Sequence, residues 1–252
     1  MASNPPAQCC TLGVKHEGQP TGSSIKIADT IDAYVAEPKG NVHKDTAILY
    51  LPDVIGIWQN SQLMADQFAA NGYYTIMPDL FNGDPLTLNR PEGFDFMHWL
   101  TQGTDGNNPH TYTYVDPIIE KSIAYLKSKG YTKIGSVGYC FGAKSVVRFL
   151  AEGKGLDVGY VAHPSFTEED EVRAIKGPLS IAAAETDEIF PMEKRHKTEE
   201  ILQEIKATYQ MNLFSGTNHG FAVRCDMKNP VEKFAKEQAF LQAIAWFDEY
   251  LV

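Results

Sequence analysis

The chain has 252 residues, 43% of them hydrophobic and 11% aromatic, which is enough apolar side chain for a sizeable core and excludes disorder along its whole length. A domain of this size buries roughly 70–75% of the surface its unfolded chain exposes, so it needs neither a disulfide framework nor a structural metal to fold. Its 22 Lys and Arg against 32 Asp and Glu give a formal charge of -10 with no basic stripe, which argues against nucleic acid and anionic membrane as partners.

Residues 1–20 show no periodicity and none of the basic and apolar regions of a secretion signal, so they read as a flexible N-terminal tail ahead of one domain over 21–252. No window approaches the ~18 uncharged apolar residues of a membrane span. The expectation is a soluble, cytoplasmic protein, a monomer or small homo-oligomer. The four cysteines, Cys9, Cys10, Cys140 and Cys225, match neither a secreted disulfide framework nor the paired CxxC units of a zinc site. Neither a metal nor an organic cofactor is expected, and Cys9 and Cys10 read as exposed thiols.

In chain order, short β-branched or apolar runs at 32–36, 47–51, 74–77, 132–137, 158–162, 179–184 and 210–214 read as strands. Helical patterns fill the gaps at about 57–71, 116–129, 142–152, 191–208 and 231–250. No internal repeat is present. Strands alternating with helices predict an α/β fold, a mostly parallel central sheet covered by helices on both faces. The stretch 81–114 breaks this rhythm with Gly, Asn, Pro and Asp yet carries Phe94, Phe96, Met97 and Trp99. It reads either as a cap or pocket wall, or as a surface loop with a short helix tucked onto the core.

The most informative segment is KIGSVGYCFGAKSVVRFL, residues 133–150. A strand runs into Gly138-Tyr139-Cys140-Phe141-Gly142 and an amphipathic helix follows, the G-x-nucleophile-x-G pattern with Cys where Ser usually stands. A nucleophile on so sharp a turn brings the residues two before and two after it into close approach, and glycine removes the collision. The free N–H groups and positive end of the following helix favour a thiolate and a developing oxyanion alike. The glycines at 135, 138 and 142 do not make GxGxxG, and GK[ST] is absent, so nucleotide loops are poor alternatives. A base and an orienting acid should follow in the order nucleophile, acid, His, each after a later strand. Asp187 after LSIAAA and His219 after QMNLF fill those places, with Glu185 and Glu188 as rivals to Asp187 and His163 as the rival to His219.

Gly138 to Ala143, the Asp187 loop running to Phe190-Pro191, and Asn218-His219-Gly220-Phe221 together resemble the dienelactone hydrolase family, α/β-hydrolases with a Cys-Asp-His triad. The similarity runs from about Ala33 to the C-terminus and includes LPDVIGIWQN and MPDLFNGDP between Ala47 and Pro85. The resemblance implies hydrolysis of a small lactone or activated ester through an acyl-cysteine. Cys140 would attack, His219 would move protons, Asp187 would orient His219, and the backbone N–H groups of Val54 and Phe141 would form the oxyanion hole. It further implies a thiol-supporting role for Asp53, where bacterial members carry Glu. Those members hold a substrate carboxylate with an arginine whose aligned position is Val223 here, with Arg224 next. Trp58, Tyr139, His163, Phe221 and Arg224 are the candidate substrate-binding residues. The alternatives are a broader carboxylesterase or thioesterase, and a non-catalytic ligand-binding or thiol-sensor protein.

Overall fold

The computed structural model of the protein describes residues 1–40 and 42–252. Strands β1 (Ser23–Ile27) and β2 (Ile31–Ala36) form a hairpin, followed by β3 (Thr46–Leu51), α1 (Gln59–Ala70) and β4 (Tyr74–Pro78). Next come α2 (Phe96–Gln102), α3 (Tyr112–Ser128), β5 (Lys133–Tyr139), α4 (Gly142–Phe149), β6 (Val158–Ala162) and α5 (Glu169–Arg173). The chain ends with β7 (Leu179–Thr186), α6 (Met192–Glu204), β8 (Tyr209–Asn218), α7 (Phe221–Arg224) and α8 (Pro230–Tyr250).

The strands form one sheet in the order β1-β2-β4-β3-β5-β6-β7-β8, in which β2 runs against its neighbours and the pairs from β4 to β8 are parallel. Every residue of β3, β4 and β6 is buried. A parallel sheet must be covered on both faces, which is why these segments read as unbroken apolar runs rather than alternating ones. One core lies under α2 to α6, with Trp99, Ile119, Val146 and Ile201 among its members. The other lies under α1, α7 and α8, with Phe68, Phe221 and Phe247. The chain leaves β3 to one side for β4 and returns to the other side for β5, so the sheet has its switch point at β3. Ligands in such sheets bind beyond the carboxyl ends of the strands at that point.

The predicted strands and helices all form, with ends that move by a few residues. β1 was not anticipated, because SSIKI is a mostly exposed edge strand without a clear period. β8 extends to Asn218, so it delivers His219 directly from a strand end. Within 81–114, Trp99 is fully buried and its Nε1 donates to Asp84 O at 3.0 Å. The Phe81 ring lies tilted 5.3 Å from that of Trp99 and 5.2 Å from that of Phe141, centroid to centroid, so this excursion braces the turn after Cys140 from one side.

Residues 1–20 depart from the flexible tail expected of them. Ala2, Ser3, Cys10 and Thr11 have no exposed surface. The N–H groups of Ala2 and Ser3 donate to Thr167 O, that of Asn4 donates to Ile189 O, and Gln8–Cys10 form a turn of 3-10 helix. The segment is held by backbone hydrogen bonds and small side chains, which leave no periodic signature to read.

Candidate active site

Cys140 follows β5 at its carboxyl end, with φ of +51° in the left-handed region. A non-glycine residue persists there only where its surroundings fix it. Its N–H donates to Ala162 O at 3.1 Å, and its carbonyl accepts from Ala143 N at 3.2 Å. A Cβ on Gly138 would stand 2.7 Å from Ala143 Cα, and one on Gly142 would stand 2.1 Å from Leu51 O. Both glycines are therefore required by close approach, as the motif predicts. Gly142 N–H donates to Pro52 O at 3.1 Å, drawing the loop after β3 against the turn. Among the described residues the N–H groups of Val54 and Phe141 carry no hydrogen bond, and both residues are buried beside this junction.

Asp187, one residue past β7, accepts on Oδ1 from Ile189 N at 2.8 Å and Phe190 N at 2.9 Å. Those bonds lock its carboxylate, which lies 2.9–3.0 Å from His219 Nδ1. Nδ1 therefore carries the proton it donates to Asp187, and Nε2 points away toward sulfur. Glu185 accepts from Gly216 N instead, and Glu188 is exposed. His163 lies with its ring 5.0 Å from that of His219, and neither of its nitrogens has a partner. Burial and the nearby positive charges hold it neutral, well below the usual histidine range.

The third neighbour of His219 is unexpected. Cys10 Sγ lies 3.5 Å from His219 Nε2, and Cys10 Sγ, Cys140 Sγ and a ring nitrogen of His219 all lie within 4.8 Å of one another. Ser165 Oγ lies 3.7 Å from Cys140 Sγ. Cys10 is fully buried and Cys9 half-buried, which corrects the expectation of exposed thiols. Nothing but the Cys9-Cys10 doublet signalled this in the sequence.

Burial disfavours a thiolate at Cys140, but the Cys10 thiol, the His219 imidazolium and the Arg224 guanidinium outweigh it and hold the Cys140 thiol well below its ordinary value. Burial likewise opposes charge on His219, yet Asp187 and Cys140 push it up to about 10. These opposite shifts favour the thiolate–imidazolium form of the pair. Cys10 goes the other way, raised by burial, and stays a neutral thiol.

Asp53 and Arg224 form a buried ion pair between the Asp53 carboxylate and Arg224 Nη1, each side chain 1% exposed. Among the described residues Asp53 makes no hydrogen bond to Cys140; it holds Arg224, whose charge favours the thiolate. Arg224 also donates from Nε to Leu12 O at 3.0 Å and from Nη2 to Cys9 O at 3.4 Å, strapping the N-terminal segment over the site. Tyr139 packs 5.1 Å from Tyr50 in the core under α8, on the sheet face opposite the cluster that holds Cys140. Trp58 is half-buried at the start of α1. His219, Phe221 and Arg224 line a cleft of about 480 Å³ together with Cys9, Glu188 and Glu232. A larger cleft of about 650 Å³, between residues 14–21 and α1, contains none of Cys140, Asp187 and His219.

The sequence model of the dienelactone hydrolase family matches residues 31–251. The chain belongs to the dienelactone hydrolase family. It is a hydrolase of this type on an α/β-hydrolase fold. It is similar over its full length to hydrolase pyvD of Aspergillus violaceofuscus, 48% identical with 99% of that chain covered. It is also similar to dienlactone hydrolase 1 of Gibberella moniliformis, 36% identical with 100% of this chain and 96% of that one covered. A crystal structure of a Klebsiella pneumoniae protein assigned as a dienelactone hydrolase superposes with a TM-score of 0.75 over 91% of this chain and 99% of its own, at 14% identity. No helix among the described residues is long and apolar enough to cross a membrane.

Proposed function

We propose that this family member cleaves a small lactone or activated ester through an acyl-cysteine intermediate. The observation that carries the reading is Cys140 at its strained turn beside a His219 that Asp187 orients through Nδ1. The Cys140 thiolate attacks the carbonyl carbon, and the oxyanion is received by the N–H groups of Val54 and Phe141. His219, protonated on Nε2, gives that proton to the departing alkoxide or enolate, leaving a thioester. Neutral His219 then takes a proton from water, whose oxygen attacks the thioester, and collapse returns the thiolate. A thiolate is a good leaving group, which suits enol-type lactones and esters better than amides.

The Asp53–Arg224 pair favours an uncharged substrate over one bearing a carboxylate. Arg224, which lines the cleft, is already paired with Asp53, and Glu188 and Glu232 add negative charge to its wall. The reading is a lactonase or carboxylesterase whose pocket selects by shape. The test is hydrolysis of a dienelactone, p-nitrophenyl acetate and a simple thioester by wild type and Cys140→Ala, with mass spectrometry of the quenched enzyme for an acyl adduct. Turnover that disappears in the variant, with an adduct on Cys140, is expected. Turnover retained by Cys140→Ala refutes the cysteine mechanism, and a rapidly alkylated Cys140 without turnover on any ester favours a thiol sensor.

A further inference from the structure

Hydrolysis employs Cys140, Asp187 and His219 and leaves Cys10 without a task, although its sulfur is fully buried 3.5 Å from His219 Nε2. We infer that Cys10, Cys140 and His219 form a three-donor site for a thiophilic divalent cation of the zinc class, and that filling this site silences the enzyme. Two sulfurs and an imidazole nitrogen lie within 4.8 Å of one another. Tetrahedral zinc, with Zn–S near 2.3 Å and Zn–N at 2.0–2.1 Å, sets neighbouring sulfur and nitrogen about 3.6 Å apart. The Cys10–His219 separation of 3.5 Å already matches that edge.

The surroundings match as well. A histidine that binds zinc characteristically gives its other N–H to a carboxylate, which fixes the tautomer and raises ligand basicity. Asp187 does this at Nδ1 and leaves Nε2 as the donor. A cation can enter from the cleft that His219 and Cys9 line, where the carboxylates of Glu188 and Glu232 attract positive charge. Three protein donors leave a fourth position for water. Binding displaces whatever protons the two sulfurs and Nε2 carry, and these pass to solvent. Occupation and turnover exclude each other, because the cation takes the nucleophile's lone pair and the base's nitrogen together. The inference goes beyond the proposed hydrolysis, since the donor set is the same whether or not Cys140 turns over esters.

The experiment is titration of the reduced, metal-free full chain with Co²⁺ and then Zn²⁺ under anaerobic conditions. Expected is one cobalt per chain, with sulfur-to-cobalt charge-transfer absorption, four-coordinate ligand-field bands and displacement by zinc. Losing a supporting partner of a metal ligand costs roughly 10–100-fold in affinity, so Asp187→Asn should weaken zinc binding by about that much and Cys10→Ser by more than about 100-fold. Cys225→Ser, whose sulfur is not one of the three donors, should bind zinc as wild type does. Zinc should inhibit ester hydrolysis until a chelator is added. X-ray absorption of the zinc-loaded wild type should report two sulfurs at about 2.3 Å, a readout that survives if Cys10→Ser does not fold. No stoichiometric binding, a single sulfur ligand, or unchanged affinity in folded Cys10→Ser overturns the inference. Zinc bound as described by a chain that cleaves none of the esters would sink the hydrolysis reading and leave this one standing.

Discussion

Replacing Arg224 by methionine removes one partner of an ion pair whose two side chains are each only 1% exposed. The Asp53 carboxylate stays behind in the interior, and a stranded buried charge costs about 3–5 kcal/mol. Over a chain of this size that lowers the thermal midpoint by roughly 6–20 °C. Burial already raises Asp53, and Arg224 is the main influence pulling it back down. Without Arg224 the folded-state value climbs further above the ordinary value of about 3.9. The sign follows: between those two values the folded state binds more protons than the unfolded state, so the stability of the variant falls as pH rises through that window. One proton sets a limit of about 1.36 kcal/mol per pH unit. The penalty should therefore shrink toward pH 4 and be largest at neutral pH. Asp53→Asn/Arg224→Met, with no charge to strand, should recover most of the loss. Urea unfolding of wild type, both single variants and the double at pH 4.5 and 7 measures all of this. A loss under about 1 kcal/mol at pH 7, a penalty independent of pH, or a double variant as unstable as Arg224→Met would refute the reasoning.

Gly142→Ala drives a Cβ to 2.1 Å from Leu51 O and 2.5 Å from Leu51 C, both backbone atoms. It should cost about 1–3 kcal/mol or more and reduce ester turnover, read by chemical denaturation and kcat/KM. In Asp187→Asn the His219 tautomer is no longer held, so kcat/KM should fall by about 10⁴-fold, while Glu185→Gln leaves it nearly unchanged; comparable losses in both would show that the orienter is misassigned. His219→Gln removes a cation that lowers the Cys140 thiol. Iodoacetamide should modify wild-type Cys140 readily at pH 6 but the variant only as pH climbs into the ordinary thiol range, and superimposable pH profiles would contradict the ion-pair assignment. Trp99→Ala empties a fully buried site behind Phe141 and should destabilise by about 3–5 kcal/mol in the same unfolding assay.

What the sequence disclosed and what it hid divide along one physical line. The turn around Cys140 was legible because its constraints are local: Gly138 and Gly142 answer collisions set by the backbone of the turn itself. Asp187 and His219 were legible because each follows an apolar run by a few residues, in the order nucleophile, acid, His. Tyr139, the last residue of β5, packs against Tyr50 on the sheet face opposite the cluster that holds Cys140. Arg224 was visible as a charge beside the His219 loop, but its partner Asp53 lies 171 positions away. Cys10 was hidden more completely, since it sits on an irregular segment and meets His219 across 209 positions. No period or spacing encodes such a meeting.

These hidden contacts belong to one device. Arg224 binds the carbonyls of Cys9 and Leu12, the segment so held places Cys10 against His219, and Cys140 is left with no exposed surface. We expect an ester to reach Cys140 only when part of residues 8–13 moves aside. That movement breaks the hydrogen bonds of Arg224 to Leu12 and Cys9 and those that tie Thr11 and Gly13 to Asn89. The same displacement would move Cys10 away from Cys140 and His219, so opening for an ester would dismantle the donor set for a cation. On that expectation, access to the nucleophile and capture of the nucleophile would be alternative positions of one short segment.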